Sequence, residues 1–232
     1  MYYVMSDIHG EYDKYIAMLD KINFSDDDVL IVLGDVIDRG PEPVKVLKDM
    51  SMRQNVYPII GNHELMALNV LKPLLVELTE ENYDTLITED LMQAIANWQY
   101  NGGDITMKMF RELPKDERMA LIEYMEEFEP YQIIDLDDKH TVLLVHAGLG
   151  NYYEGKLLRD YTLDELKFER PKLNQKYYDD SLTVIVGHTP TQVISGKAEI
   201  YRSGNVMFID CGAAYGGRLA CLCLDTMEEY YV

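Results

Sequence analysis

The chain has 232 residues, 47% of them apolar, enough for one domain with a sizeable core and too many for wholesale disorder. Asp and Glu total 41 against 21 Lys and Arg, a formal net charge of −20, which disfavours a broad basic face for nucleic acid or for an anionic membrane surface. Three Cys, at 211, 221 and 223, make no disulfide framework. No apolar run reaches the roughly 18 residues needed to span a bilayer, and the first residues lack the charged and apolar regions of a secretory leader, so the cytoplasm is the expected location.

The first third alternates regularly. Tyr2 to Met5 is a short β-prone run that ends in Ser6-Asp7-Ile8-His9-Gly10. Tyr12, Ile16, Leu19 and Ile22 then keep helical spacing. Val29 to Leu33 is too short for a helix, is rich in β-branched residues, and ends in Gly34-Asp35. Val44, Val46, Leu47 and Met50 follow in a helical segment, with Pro41 or Pro43 suited to its first turn. Val56 to Ile60 is a third apolar run, ending in Gly61-Asn62-His63-Glu64. This order predicts a βαβαβ unit with a parallel sheet.

From Leu65 to about Pro130 the pattern is helical and predicts an insertion packed on its own small core. Thr88 is the expected N-cap of a helix carrying Leu91, Ile95 and Trp98, with Asn101-Gly102-Gly103 as its stop. Pro114 opens another helix, with Leu121, Tyr124, Met125 and Phe128 as an apolar stripe; Trp98 and these stripes are expected to be core. Gln132 to Leu136 and Thr141 to Val145 flank a hairpin turn. A Tyr-rich loop and a short helix near Leu163 to Phe168 come next. Apolar runs at 184–186, 206–209 and 219–224 complete the chain, the last with Cys221 and Cys223 as buried thiols on one face of a strand. The whole of 1–232 is expected to be one domain with the insertion at about 65–130.

Each of the first three strands ends in metal-competent side chains: Asp7 and His9, then Asp35 and Asp38, then Asn62, His63 and Glu64. The carboxyl ends of parallel strands share one sheet edge, so the three clusters are expected to converge. Two later strands end in His146-Ala147-Gly148 and Gly187-His188-Thr189-Pro190. Asp7, His9, Asp35, Asn62, His146 and His188 exceed what one tetrahedral ion needs, and no Cys takes part. Mixed carboxylate, imidazole and amide donors suit two divalent ions, with Asp35 the natural bridge.

The ordered motifs D-x-H-G, G-D-x-x-D-R-G, G-N-H-E, H-A-G and G-H-T-P resemble those of calcineurin-like metallophosphoesterases. The second and third look like the phosphoprotein phosphatase branch, in its small bacterial and phage form similar to lambda phosphatase. The resemblance runs from Ser6 to about Leu219 and is weakest over the helical stretch. It implies an α/β fold, a metallophosphoesterase-type sandwich of two mixed β-sheets flanked by helices with a helical insertion. It implies that Asp7, His9 and Asp35 hold one metal and Asp35, Asn62, His146 and His188 the other, with Mn2+ expected and Fe or Zn as alternatives. His63 would protonate the leaving oxygen and Asp38 would orient it. Arg39 would grip the phosphoryl oxygens, and Arg170, in Leu166-Lys167-Phe168-Glu169-Arg170-Pro171, would be a second phosphate-binding residue. Glu64 reads as a supporting residue, and Asp210-Cys211-Gly212-Ala213 matches a late family motif without a catalytic role carried across.

The implied reaction is direct attack of a metal-bridging hydroxide on phosphorus. The expected activity is that of a protein serine/threonine phosphatase, with dual specificity as a variant, acting on a phosphorylated protein or a small phosphomonoester, with no membrane partner and nucleic acid disfavoured. The alternative is a dinucleoside polyphosphate hydrolase of the same fold. That branch typically has a small residue in place of Asp38 and reads G-N-H-D, so Asp38 and Glu64 weigh toward the phosphatase.

Overall fold

The computed structural model describes residues 1–77, 79–179 and 181–232. The chain runs β1 (Tyr2–Met5), α1 (Tyr12–Lys21), β2 (Val29–Val32), α2 (Pro43–Ser51), β3 (Val56–Pro58) and α3 (Asn62–Leu71). The insertion follows as α4 (Tyr83–Leu86), α5 (Glu89–Tyr100), α6 (Asp104–Glu112) and α7 (Lys115–Glu126). Then come β4 (Tyr131–Asp135), β5 (Thr141–Val145), α8 (Leu163–Lys167), β6 (Leu182–Val186), α9 (Thr191–Ser195), β7 (Tyr201–Ser203), β8 (Val206–Phe208), β9 (Ala220–Cys223) and β10 (Glu229–Tyr231).

Two five-stranded mixed sheets result, ordered β10-β9-β1-β2-β3 and β4-β5-β6-β8-β7. In the first, β1, β2 and β3 are parallel, as the βαβαβ pattern predicts, while β9 runs antiparallel to β1. In the second, β5, β6 and β8 are parallel, with β4 and β7 antiparallel at the edges. Strand alternation divides the side chains. Val4, Ile31 and Leu33 pack against Leu144, Ile185 and Met207, so the sheets stack face to face. Tyr3, Met5, Leu30 and Val32 point the other way, into the helical layer. The sandwich of two mixed sheets flanked by helices is therefore the observed fold.

Local signals account for the insertion's helices. Thr88 accepts the Leu91 N–H at 3.1 Å as the N-cap of α5, and Pro114 precedes α7. One expectation changes. Among the described residues the insertion has no core of its own: Trp98, Phe110, Leu121, Ile122, Met125 and Phe128 share one buried cluster with Tyr15, Leu47 and Met50 of α1 and α2. An isolated insertion of short helices buries too little apolar surface to stand alone, and the outer face of the first sheet supplies the rest. Cys221 and Cys223 are buried in that same cluster, as expected of a strand pair two apart. Among the described residues no helix is long and apolar enough to cross a membrane.

Candidate active site

The carboxyl ends of β1, β2 and β3 lie on one edge, and the loops beyond them are tied by backbone hydrogen bonds. Asp7 N donates to Gly34 O at 3.1 Å, His9 N to Asp35 O at 2.9 Å, and Gly40 N to His9 O at 2.9 Å. The second sheet joins them: Gly187 N donates to His146 O at 2.7 Å and His188 N to Asp7 Oδ2 at 2.9 Å. All five motifs thus meet at one place. Asp7, His9, Asp35, Asp38, Arg39 and His188 all have positive φ, between 46° and 72°. Left-handed backbone at a non-glycine residue costs about 1–3 kcal/mol and persists only where its surroundings hold it. Six such residues at one edge concentrate strain where side chains must be aimed inward.

Among the described residues the donor atoms form two groups, each within 4.8 Å: His9, Asp35 and His63, and Asp35, His146 and His188. Asp35 belongs to both. Its Oδ2 lies 3.6 Å from His9 Nε2 and its Oδ1 lies 3.5 Å from His146 Nε2, the disposition a bridging carboxylate requires. Asp7 Oδ1 stands 3.9 Å from His9 Nε2 on the first side. Asn62 Oδ1 stands 2.9 Å from His146 Nε2 and 2.8 Å from His188 Nδ1 on the second. Distance also admits His63 to the first group, its Nε2 lying 3.8 Å from Asp35 Oδ2 while its Nδ1 donates to the fully buried Asp38 at 2.6 Å.

The protonation chemistry fits divalent ions. His9 Nδ1 donates to Ile37 O at 2.8 Å and His146 Nδ1 to Leu33 O at 2.6 Å, which leaves each Nε2 lone pair turned into the site. Burial, and then the neighbouring rings, holds both imidazoles well below the usual histidine range. Burial and then Arg170 push His188 down to about 3. A neutral His146 therefore faces the Asn62 amide oxygen acceptor to acceptor at 2.9 Å. Two lone pairs at that range repel unless a cation lies between them. The carboxylates point the same way. Burial raises Asp7, with Asp210 next in effect, and raises Asp35, with Asp7 and Glu64 next. Burial likewise lifts Asp210 to about 6. Such a cluster of buried anions beside neutral imidazoles is a site for hard or borderline cations.

Glu64 acts as a brace. Its buried carboxylate accepts the N–H groups of Asp35, Val36 and Gly61, each at 2.9 Å, and so fixes the loop that carries Asp35. Arg39 lies at the mouth. Its guanidinium contacts His9 Nε2, stands 2.9 Å from His63 Nε2, and sits 4.9 Å below the ring of the exposed Tyr215. For a metal to take His9 Nε2, this guanidinium must move off it. Arg170 is exposed, and its charge acts on His188 and Asp210 across the same opening.

Asp7, His9, Asp35, Asp38, Arg39, Asn62, His63, His146 and His188 lie side by side, Arg170 is exposed and makes no hydrogen bond with them among the described residues, and His140 pairs with Asp137 in the hairpin turn. Three contributors are missed by the motifs. Trp98 Nε1 donates to Asp38 Oδ2 at 2.7 Å and Thr106 Oγ1 donates to Asp38 Oδ1 at 2.5 Å, so Trp98 is core but also a polar partner. Lys167 is fully buried and its Nζ has no hydrogen-bond partner among the described residues. Helical spacing foretells the burial of Trp98 but not the partner of its N–H.

Comparison with known proteins agrees with this geometry. Residues 2–215 match the calcineurin-like phosphoesterase family, and the chain belongs to it. It is 33% identical to a symmetrical bis(5'-nucleosyl)-tetraphosphatase of Photorhabdus laumondii subsp. laumondii, over 98% of this chain and 72% of that protein. It is 25% identical to the asymmetrical bis(5'-nucleosyl)-tetraphosphatase PrpE of Bacillus subtilis, over 94% of this chain and 88% of that one. Other matched symmetrical bis(5'-nucleosyl)-tetraphosphatases are longer, and the chain spans only 44%, 50% and 61% of three of them. In fold it resembles the crystal structure of a candidate diadenosine tetraphosphatase, with a TM-score of 0.69 at 18% identity over 100% of this chain and 92% of that one. These relatives support the dinucleoside polyphosphate alternative better than the protein phosphatase branch that Asp38 and Glu64 had favoured. A two-residue difference in motifs weighs less than identity along nearly the whole chain.

Proposed function

We propose that this calcineurin-like phosphoesterase hydrolyses dinucleoside polyphosphates, with a bis(5'-nucleosyl) tetraphosphate as its substrate. The observation that carries this reading is the 33% identity to a bis(5'-nucleosyl)-tetraphosphatase along 98% of the chain. Asp7, His9 and Asp35 would hold one divalent ion and Asp35, Asn62, His146 and His188 the other, with Mn2+ well suited to the mixed donors, and when bound the pair supplies Lewis acidity at the phosphoryl oxygens and an acidified water.

The chain's own residues do the rest. Arg39 and Arg170 grip the non-bridging oxygens, presenting fixed donors to charge that builds as phosphorus is attacked. His63 delivers a proton to the departing oxygen, and Asp38, bonded to its Nδ1 at 2.6 Å, keeps Nε2 aimed at that atom. Glu64 keeps Asp35 and the loop to Ile37 from shifting.

A second reading, a protein serine/threonine phosphatase, is favoured by the buried Asp38–His63 pair. An alkoxide is a poor leaving group and needs a proton donor more than a nucleotide phosphate does. Rates of the Mn-loaded protein on diadenosine tetraphosphate, p-nitrophenyl phosphate and a phosphoserine peptide separate the two. A strong preference for the first supports the proposal, and a preference for the peptide refutes it. The products identify the cleaved bond: two ADP from symmetrical cleavage, ATP and AMP from asymmetrical.

A further inference from the structure

Asp38 carries an unusual load. Its side chain is fully buried, with no Lys or Arg bonded to it among the described residues. Its two oxygens instead accept three donors: His63 Nδ1 at 2.6 Å and Trp98 Nε1 at 2.7 Å on Oδ2, and Thr106 Oγ1 at 2.5 Å on Oδ1. Thr106 Oγ1 also accepts the backbone N–H of Asp38 at 3.0 Å, so one hydroxyl holds both ends of the residue. That grip matters because Asp38 and Arg39 are consecutive left-handed residues, at φ 72° and 66°. The backbone N–H of Arg39 is held in turn by Gly102 O at 3.1 Å.

Trp98, Thr106 and Gly102 all come from the insertion. Trp98 lies on α5, Thr106 on α6, and Gly102 in the turn between them. Trp98 and Thr106 have no exposed surface. The chain is shaped to bring them in: a Cβ at Gly103 would come within 2.6 Å of Trp98 Cε2, so only glycine lets the turn pass over the indole. Hydrocarbon packing needs neither an indole N–H nor a hydroxyl at these points. Buried polar atoms of this kind lower the cost of a buried carboxylate and fix its rotamer.

We propose that the insertion is part of the catalytic apparatus, with Trp98 and Thr106 as positioning residues that act through Asp38 to hold His63 against the leaving oxygen. This rests on the reading of His63 as proton donor, and His63→Asn serves as the reference that tests that reading separately. Trp98→Phe removes the N–H and keeps a ring. Thr106→Val removes the hydroxyl at constant shape, and Thr106→Ser restores it.

Two measurements on the full chain decide. The first is steady-state hydrolysis of diadenosine tetraphosphate and a phosphoserine peptide by the Mn-loaded protein. His63→Asn is expected to lower kcat on the phosphoserine peptide by about 100-fold and on diadenosine tetraphosphate by less. Trp98→Phe and Thr106→Val are expected to lower kcat on the peptide by about tenfold with KM within about twofold, and Thr106→Ser to recover most of it. The second is the imidazole N–H proton spectrum of metal-free protein, in which the His63 Nδ1–H resonance is the one lost in His63→Asn. It is expected to shift and exchange faster in Trp98→Phe and Thr106→Val, and to stay in Thr106→Ser. If His63→Asn leaves kcat intact, the proton-donor reading falls and takes this proposal with it. If His63→Asn is slow but Thr106→Val keeps both its kcat and its resonance, His63 stands and the positioning role is overturned. Thr106→Val and Thr106→Ser decide the matter even if Trp98→Phe does not fold.

Discussion

Lys167 gives the sharpest quantitative expectation. It ends α8 with no exposed surface and no hydrogen-bond partner among the described residues. Burial pulls its ammonium down from 10.5 to about 8, with Glu64 and Asp164 offsetting part of the effect. Each tenfold change in proton affinity is worth about 1.4 kcal/mol, so folding carries a penalty of about 3 kcal/mol for this one charge. The sign follows from proton counting. Below about pH 8 both folded and unfolded chains hold the proton, and the penalty is complete. Between about pH 8 and 10.5 the folded chain has lost the proton while the unfolded chain keeps it, so stability rises with pH. Above 10.5 the penalty is gone. Lys167→Met keeps the length and apolar stem without the charge. It should therefore stabilise the protein at pH 7 by about 3 kcal/mol, or about 6 °C in Tm for a chain of this size. The gap between variant and wild type should narrow steadily toward pH 10, because other groups titrate alike in both. Urea unfolding at pH 7, 8.5 and 10 measures it. A variant no more stable than wild type at pH 7, or a gap independent of pH, would refute the claim that the ammonium is poorly satisfied. The native chain tolerates this cost at a cation that faces Glu64 and helps to lower His146, a familiar trade of stability for site electrostatics.

Further expectations concern the site directly. Asp35→Asn removes the carboxylate shared by both donor groups, so bound metal and activity should fall together, each by more than the roughly 10–100-fold that outer partners of a metal site typically cost; metal content by elemental analysis alongside kcat checks this, and unchanged metal would disprove the bridging role. Gly187→Ala would drive a Cβ into Ser6 Oγ and Asp7 Oδ2, so a fold weakened by about 1–3 kcal/mol and a loss of metal affinity are expected from melting curves and titration calorimetry. Arg170→Ala should raise KM and lower kcat, together cutting kcat/KM by about 10–100-fold, since Arg170 grips phosphoryl oxygens both on binding and as charge builds on them; steady-state kinetics checks it, and an unchanged kcat/KM would remove Arg170 from the site. Chelation followed by Mn2+ readdition should abolish and restore hydrolysis, whereas Ca2+, which prefers oxygen ligands alone, should restore little.

The sequence by itself determined the parts whose signals are local. Tyr2 to Met5, Val29 to Leu33 and Val56 to Ile60 carry the composition and length of buried parallel strands, and the side chains just beyond them must share an edge because parallel strands end together. That is why Asp7, Asp35 and Asn62 are legible as one cluster from the sequence; His146 and His188 end strands of the other sheet, and the family resemblance, not the shared edge, assigns them to it. Tertiary structure decided what depends on contacts across the chain. Trp98 and Thr106 meet Asp38 from 60 and 68 residues away, and helical periodicity states that a residue is buried without naming what its polar atom touches. The insertion's lack of a separate core was hidden for the same reason, since an apolar stripe does not say which surface it covers. Lys167 is the clearest case: a charged residue in a polar stretch reads as exposed, and only the packing of α8 beneath Glu64 and His146 puts its charge inside.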